Sequence, residues 1–293
     1  MEENNYWENR ISKAVDESKK LNFVSLLKTG WEMYAENAGN MVAFVLLFFL
    51  LAFGILIIPV IIFAVVLAGS GQEPNPGLII VMALMFLALG VFIMALFLGL
   101  YIGGNEIGRG RQPSIGEYFN IRPYLPQFIL NNIFQILLGL MVLSFTVLPF
   151  VASQLPTFRS IDFNDPKELQ ASIVSISEGL MVPFVISSLV SALLNTLFLF
   201  TVALIVRCKF SFFNALGASF RLVTRNYLVY LLIPLIPIII SNVFSRIPLV
   251  SILFSLGQLL ILLPLSVCMV FAALNELIGK NADEMNVTEE SVF

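Results

Sequence analysis

Residues 41–68 have the sequence MVAFVLLFFLLAFGILIIPVIIFAVVLA, in which no side chain carries a charge. A helix needs about 20 apolar residues to cross the roughly 30 Å of hydrocarbon in a bilayer. The stretch is longer than this minimum. It therefore predicts a membrane-spanning α-helix that tilts in the bilayer or bends at Pro59.

The composition of the 293-residue chain points the same way. Apolar residues make up 58% of it and charged residues 12%, with 27 Phe, and the mean hydropathy is +0.93. An average soluble domain is about 45–50% apolar and about 25% charged. One soluble globule cannot bury so many apolar side chains. The composition thus predicts an all-α, polytopic membrane protein, and it excludes a soluble enzyme, a disordered chain and a nucleic-acid-binding protein.

Several kinds of chemistry are excluded by residue type. The chain has no histidine, and its two cysteines, Cys208 and Cys268, do not have the spacing of metal ligands. His-ligated haem, zinc and non-haem iron are excluded, and the commonest general base at neutral pH is missing. A net charge of −3 predicts no polyanionic partner. We therefore expect no catalytic residue, no cofactor and no metal site.

Five further apolar stretches predict membrane spans, which gives six in total. They cover residues 78–102, residues 126–152, a fourth stretch that ends at Arg207, residues 227–243 and residues 249–274. The chain then divides into an amphipathic N-terminal segment (1–40), a six-span membrane domain (41–277) and a C-terminal tail (278–293).

The fourth helix is predicted to begin well before its apolar part. Asp165 suits an N-cap, Pro166 suits the first helical position, and Glu168 follows three residues after the cap. A helix over residues 166–206 is about 60 Å long at 1.5 Å per residue. It either projects from the membrane as a stalk or bends near Pro183.

Basic residues predict the orientation. With the N-terminus inside, thirteen of the sixteen Lys and Arg residues lie on the cytoplasmic side, and only Arg159, Lys167 and Arg246 lie outside. This bias follows the positive-inside rule and fits an even number of spans. Both the N-terminal segment and the C-terminal tail are therefore predicted to be cytoplasmic.

Two amphipathic helices run into predicted spans. The apolar face of the first consists of Phe23, Leu26, Leu27, Gly30, Trp31 and Tyr34, and that of the second of Phe212, Phe213, Leu216, Phe220, Val223 and Tyr227. Such a helix lies in the headgroup plane of a membrane or docks on its neighbours as a soluble helix does. We expect the first arrangement.

These helices indicate an internal repeat. A shift of 189 residues aligns Phe23 with Phe212 and Asn37 with Asn226, and a shorter copy begins at Ile115. The chain then divides into three parallel units of surface helix, span and span, at residues 22–102, 113–206 and 210–278. The alternative is that two amphipathic helices align by chance.

The same residues resemble a known family. They are Gly30-Trp31 and Ser219-Phe220, each followed by an Asn before a span, and the ending Pro264-Leu265 with Phe271–Leu277. This pattern resembles uncharacterised bacterial inner-membrane proteins related to the membrane domain of some glycerophosphodiester phosphodiesterases. The resemblance implies an accessory or anchor-like protein of the inner membrane. It transfers no catalytic residue.

Polar side chains inside the predicted spans are mainly amides and hydroxyls. Asn131, Asn132 and Gln135 lie in the third span, and Asn195 lies in the fourth, on one face with Ser187 and Ser191. One interpretation is a site for a polar headgroup or solute between these spans. The other is hydrogen bonding between helices, worth about 0.6 kcal/mol on average in membranes.

The ends of the spans carry the remaining signals. Glu106, Glu178 and Glu276 lie near predicted span ends rather than in the middle, which argues against a proton-coupled pump. Gly99 and Gly103 predict close helix packing, and Arg109 and its neighbour Arg111 are predicted to contact lipid phosphates.

The function predicted from the sequence is non-enzymatic. We expect an organiser, anchor or accessory protein of the bacterial inner membrane, with membrane lipids and another membrane protein as partners. The alternative is a carrier for a lipid-like or uncharged solute, and the oligomeric state is left open.

Overall fold

A computed structural model of the chain describes residues 2–17, 20–70, 76–160, 166–244 and 256–279. Within these ranges all regular secondary structure is helical, which confirms the all-α class. The elements are α1 (Glu2–Asp16), α2 (Phe23–Ser70), α3 (Pro76–Gly108), α4 (Ile115–Tyr118), α5 (Leu125–Thr146), α6 (Leu148–Ser160), α7 (Pro166–Leu197), α8 (Thr201–Cys208), α9 (Phe212–Arg225), α10 (Tyr227–Phe244), a π-helical turn (Gln258–Leu262) and α11 (Leu263–Ile278).

Within the described residues, four helical segments are long and apolar enough to cross a membrane. They are Phe23–Gly54, Leu125–Thr146, Gly179–Cys208 and Gln258–Ile278. They overlap the first, third, fourth and sixth predicted spans. This arrangement is compatible with a membrane protein.

The second and fifth predicted spans also fall in helices. The second lies in α3, whose described apolar segment Ile93–Gly108 is shorter, and the fifth lies in α10. Residues 249–255 of the predicted sixth span and residues 280–293 of the predicted tail lie outside the described residues. The count of six therefore stays a prediction.

The first surface helix and the first span form one continuous helix. At 48 residues and 1.5 Å per residue, α2 is about 72 Å long. Asn37 does not end the surface helix but lies inside α2, where its side-chain amide donates to the Met33 carbonyl of the same helix at 3.0 Å. Its predicted counterpart Asn226, by contrast, lies at a real break, between α9 and α10.

The fourth predicted helix divides into α7, which is described from Pro166 onward, and α8. The predicted N-cap Asp165 lies outside the described residues. Pro183 lies inside α7 without ending it. The interruption comes from Ser219 of α9, whose Oγ accepts the Phe200 N–H at 3.1 Å and lies 3.1 Å from the Leu197 carbonyl oxygen, to which it donates. A side chain inserted into the backbone ladder in this way bends a helix.

Close packing of α2, α3 and α11 builds the core. A Cβ added at Gly30 would lie 2.6 Å from Met269 Cγ, and one at Gly99 would lie 2.9 Å from the Tyr118 carbonyl oxygen. One at Gly103 would overlap the Tyr118 ring. The predicted packing role of Gly99 and Gly103 is thus confirmed.

Candidate functional site

Arg207, at the end of α8, has a side chain that is 0% exposed, although the sequence groups it with the exposed cytoplasmic basic residues. Its Nε donates to Asn105 Oδ1 at 2.8 Å. Its Nη1 donates to Asn275 Oδ1 and, at 3.3 Å, to the Gly279 carbonyl oxygen. We call these four residues the Arg207 cluster.

Two features stabilise the buried charge. Three helices end at the cluster, α3 at Gly108, α8 at Cys208 and α11 at Ile278, and a helix C-terminus carries partial negative charge. The guanidinium also lies 5.1 Å from the centroid of the Phe271 ring, a favourable cation–π distance. In addition, Asn275 donates to the Gly108 carbonyl at 2.7 Å, so that one amide joins two helix ends to the cation.

A second polar layer covers the cluster. Arg109 donates to the Arg207 carbonyl at 3.4 Å, and its guanidinium lies 4.0 Å from the Glu106 carboxylate. Arg111 reaches the same carboxylate at 3.4 Å with a side chain that is 71% exposed. The exposed Arg111 side chain can therefore still contact lipid phosphates as predicted. The Arg109 side chain instead contacts groups of the protein itself.

One feature of the sequence indicates this cluster, although none of its four residues is among the predicted site residues. Asn105-Glu106 and Asn275-Glu276 are the same dipeptide near the ends of two apolar helices. Each of the three helices is also followed by a residue of positive φ, namely Gly110 (79°), Lys209 (53°) and Gly279 (87°). Asn105 and Asn275 each lie three residues before the end of their helix, and Arg207 lies one residue before the end of α8.

The predicted amide site is brought together only in part. Asn131 is buried and Gln135 half-buried one turn further along α5. Neither Asn131 Oδ1 nor Gln135 Oε1 has a hydrogen-bond partner among the described residues. Asn132 donates to the Phe128 carbonyl of its own helix at 2.8 Å, and Asn195 is exposed on α7.

An amide that is not among the predicted site residues makes the hydrogen bond between helices. Gln127 precedes Asn131 by one turn on α5, and its Oε1 accepts the N–H of Phe212, the first residue of α9, at 2.8 Å. The polar face of α5 thus has a tie to α9 at one end. Two unpaired acceptors, those of Asn131 and Gln135, follow it.

Replacing Gln127 by Leu is expected to lower the thermal stability, whereas replacing Asn131 by Leu is not. Gln127→Leu leaves the buried Phe212 N–H without its acceptor, which costs about 1–3 kcal/mol, so Tm falls. Asn131→Leu removes an oxygen that has no partner, so Tm holds or rises. Melting curves in one detergent measure both variants. An equal loss of Tm would mean that Asn131 holds helices together after all.

A cavity of about 230 Å³ lies between α3, α10 and the start of α11. Its lining is mainly apolar and includes Tyr101, Ile233, Pro234, Leu262, Ser266 and Val270. The Ser266 hydroxyl donates to the Leu263 carbonyl at 2.7 Å, so it adds little polarity. A smaller cavity of about 110 Å³ shares Ile233, Leu262 and Ser266 with the first.

The π-helical turn beside the cavity has a local cause. Pro264 has no N–H, so the Leu260 carbonyl loses its usual partner four residues on. The Tyr34 hydroxyl of α2 donates to that carbonyl instead, at 3.0 Å. π-helical turns occur frequently at functional sites.

Comparison with known proteins finds no matching family model, no matching curated protein and no matching solved structure. The function has to be inferred from the residues of the chain itself.

Proposed function

We propose that this chain is a multi-pass protein of the bacterial inner membrane with a non-enzymatic role, as an organiser, anchor or accessory to other membrane proteins. The Arg207 cluster carries this proposal. It ties the ends of three helices by side-chain hydrogen bonds to one buried cation. Such a centre favours a fixed bundle over one that rearranges in a transport cycle. The sequence resemblance to the phosphodiesterase-associated membrane domains supports the same role.

The three-unit repeat is part of the proposal. Asn40 of the first unit donates to the Pro113 carbonyl at the start of the second, at 3.0 Å. Gln127 of the second accepts the N–H of Phe212 at the start of the third, at 2.8 Å. Asn226 of the third accepts, at 3.3 Å, the N–H of Leu21 directly before the first. Each unit thus contacts the next one, and the contacts support a closed ring around the Arg207 cluster.

The same arrangement supports six spans with cytoplasmic termini. Because α3, α8 and α11 all end at the cluster, their C-termini lie on one side of the bundle. These helices contain the second, fourth and sixth predicted spans. Parallel units that all begin and end on one side fit the distribution of basic residues.

Fusions to topology reporters are expected to follow this arrangement. Reporters that are active only outside the cytoplasm should give signal at residues 73, 162 and 246. They should give none at residues 112 and 215 or at either terminus. A signal from the C-terminal fusion would contradict the six-span topology, and the fifth span would then be the first to re-examine.

Reconstitution into vesicles separates an anchor from a carrier. A fluorescent phospholipid in the inner leaflet is protected from an impermeant reductant unless a protein moves it across. We expect this protection to be the same with and without the purified chain. After extraction in a mild detergent, the chain should instead co-purify with another membrane protein at a fixed stoichiometry.

A carrier for a lipid-like solute is the second candidate, and the cavity beside the π-helical turn favours it. Its lining suits an apolar ligand better than a sugar or an ion. If the impermeant reductant quenched the fluorescent lipid of the inner leaflet in vesicles that contain the chain, the carrier function would be favoured over the anchor.

A further inference from the structure

We propose that the two adjoining cavities bind an acyl chain of an anionic phospholipid. The inference rests on the proposed membrane location and names a ligand within it. It differs from the carrier function because a lipid can be held at this site without being moved across the bilayer.

The chemistry of the larger cavity points to an apolar occupant. A buried water needs two to four polar partners, and an apolar cavity of about 150 Å³ stays dry and accepts benzene. At about 230 Å³ this cavity is larger, and the polar side chains in its mainly apolar wall are those of Tyr101, Gln258 and Ser266. The Ser266 hydroxyl is engaged by a backbone carbonyl. An apolar group is therefore the ligand that fits it.

The shape of the site favours a chain-like ligand. The smaller cavity begins at Phe23 and Leu27 on α2 and adjoins the larger one along Ile233, Leu262 and Ser266. The two cavities lie side by side from the start of α2 to α3 and the π-helical turn, and we call them the track. Pro234 and Leu262 in its wall are partly exposed, so the track is open to the surroundings of the helices. In a bilayer these surroundings are acyl chains.

Basic residues near the α2 end of the track supply charge complementarity. Lys20 and Arg225 are both exposed. The hydrogen bond between Leu21 and Asn226 brings their chain segments together, and Phe23 follows two residues after Leu21. Exposed cations at a membrane surface attract anionic headgroups. The proposed lipid therefore has its headgroup at Lys20 and Arg225 and one tail in the track.

Photolabelling in vesicles tests the site. The full chain is reconstituted with phosphatidylglycerol that carries a diazirine on its acyl chain, and labelled residues are mapped by mass spectrometry. We expect saturable labelling of Ile233 and Leu262, displaced several-fold by unlabelled phosphatidylglycerol but weakly by phosphatidylcholine. Lys20→Glu combined with Arg225→Glu should remove this headgroup preference.

Two serines provide matched variants. Ser266→Phe places a larger side chain in the wall that both cavities share and is expected to lower labelling of the track several-fold. Ser144 of α5 also donates to a carbonyl of its own helix, at 2.8 Å, but is exposed, so Ser144→Phe should leave the labelling of the track unchanged. If Ser266→Phe does not fold, the saturation and competition measurements on the unmodified chain decide alone.

The outcomes separate this site from the proposed membrane location. Labelling spread evenly over outward-facing residues, with no saturation and no headgroup preference, would overturn the lipid site and leave the membrane location intact. Absence of label from the chain, including outward-facing residues such as Leu137 and Phe145, would overturn the membrane location itself.

Discussion

Asn275→Leu is expected to lower the free energy of unfolding by about 3 kcal/mol, among the largest losses for one side chain of the core. The change removes the acceptor of an Arg207 Nη1 hydrogen bond and the donor to the Gly108 carbonyl. Hydrogen bonds to charged groups contribute about 1.5–3 kcal/mol, and a buried charge left without its partner costs more than a neutral group does.

Thermal unfolding in detergent measures the effect, with Asn195→Leu as the control. Asn195 is the same residue type on an apolar helix, but it is exposed, so its replacement should be nearly silent. The triple variant Asn105→Leu, Arg207→Met, Asn275→Leu should regain much of the lost stability, because apolar residues of similar size often replace a buried polar cluster without loss. A triple variant less stable than Asn275→Leu would contradict this electrostatic account.

The helices could be predicted from the sequence because their signals are local. Long uncharged runs in the sequence predict the apolar helical segments. The single long α2 was not predicted, because the amphipathic face of its first turns indicates a separate surface helix. Nothing near Asn37 in the sequence shows that its side chain bonds to its own helix instead of ending it.

The division of α7 from α8 could not be predicted for a different reason. It depends on Ser219, which lies 19 residues beyond Phe200 in the chain and meets it only after folding. The local sequence over 196–202 contains neither proline nor glycine. A helix end imposed by a neighbouring helix leaves no signal in its own segment.

The polar sites, too, depend on contacts that form only after folding. Asn131 and Gln135 could be placed on one face because helix periodicity fixes it, but whether Asn132 and Asn195 join them depends on packing. Arg207 was assigned to the surface because arginine at the end of an apolar run usually lies there. The repeated Asn-Glu dipeptide near the ends of α3 and α11 was the one local sign of a shared site.

Gly103→Ala is the second substitution with a large expected effect. The added Cβ would overlap the ring of Tyr118, which is fully buried against α3 and stacks on Phe44 with 4.8 Å between ring centroids. Tyr118 cannot move outward without losing this contact. Its hydroxyl stays neutral throughout the ordinary pH range, because burial raises its pKa, so pH should not change the result. Inserting a methyl group into a packed core typically costs about 1–3 kcal/mol.

Gly139→Ala is the matched control because it places the same methyl group on a helix where nothing lies within 4 Å. With no overlap, the control removes the flexibility of a helical glycine and should gain about 0.5–1 kcal/mol. The two variants are therefore expected to shift Tm in opposite directions in one detergent. Tyr118→Leu, which shortens the side chain over Gly103, should reduce the loss caused by Gly103→Ala. If both alanine variants raise Tm, the close packing of α4 on α3 does not contribute to stability, and Gly103 is replaceable like any exposed helical glycine.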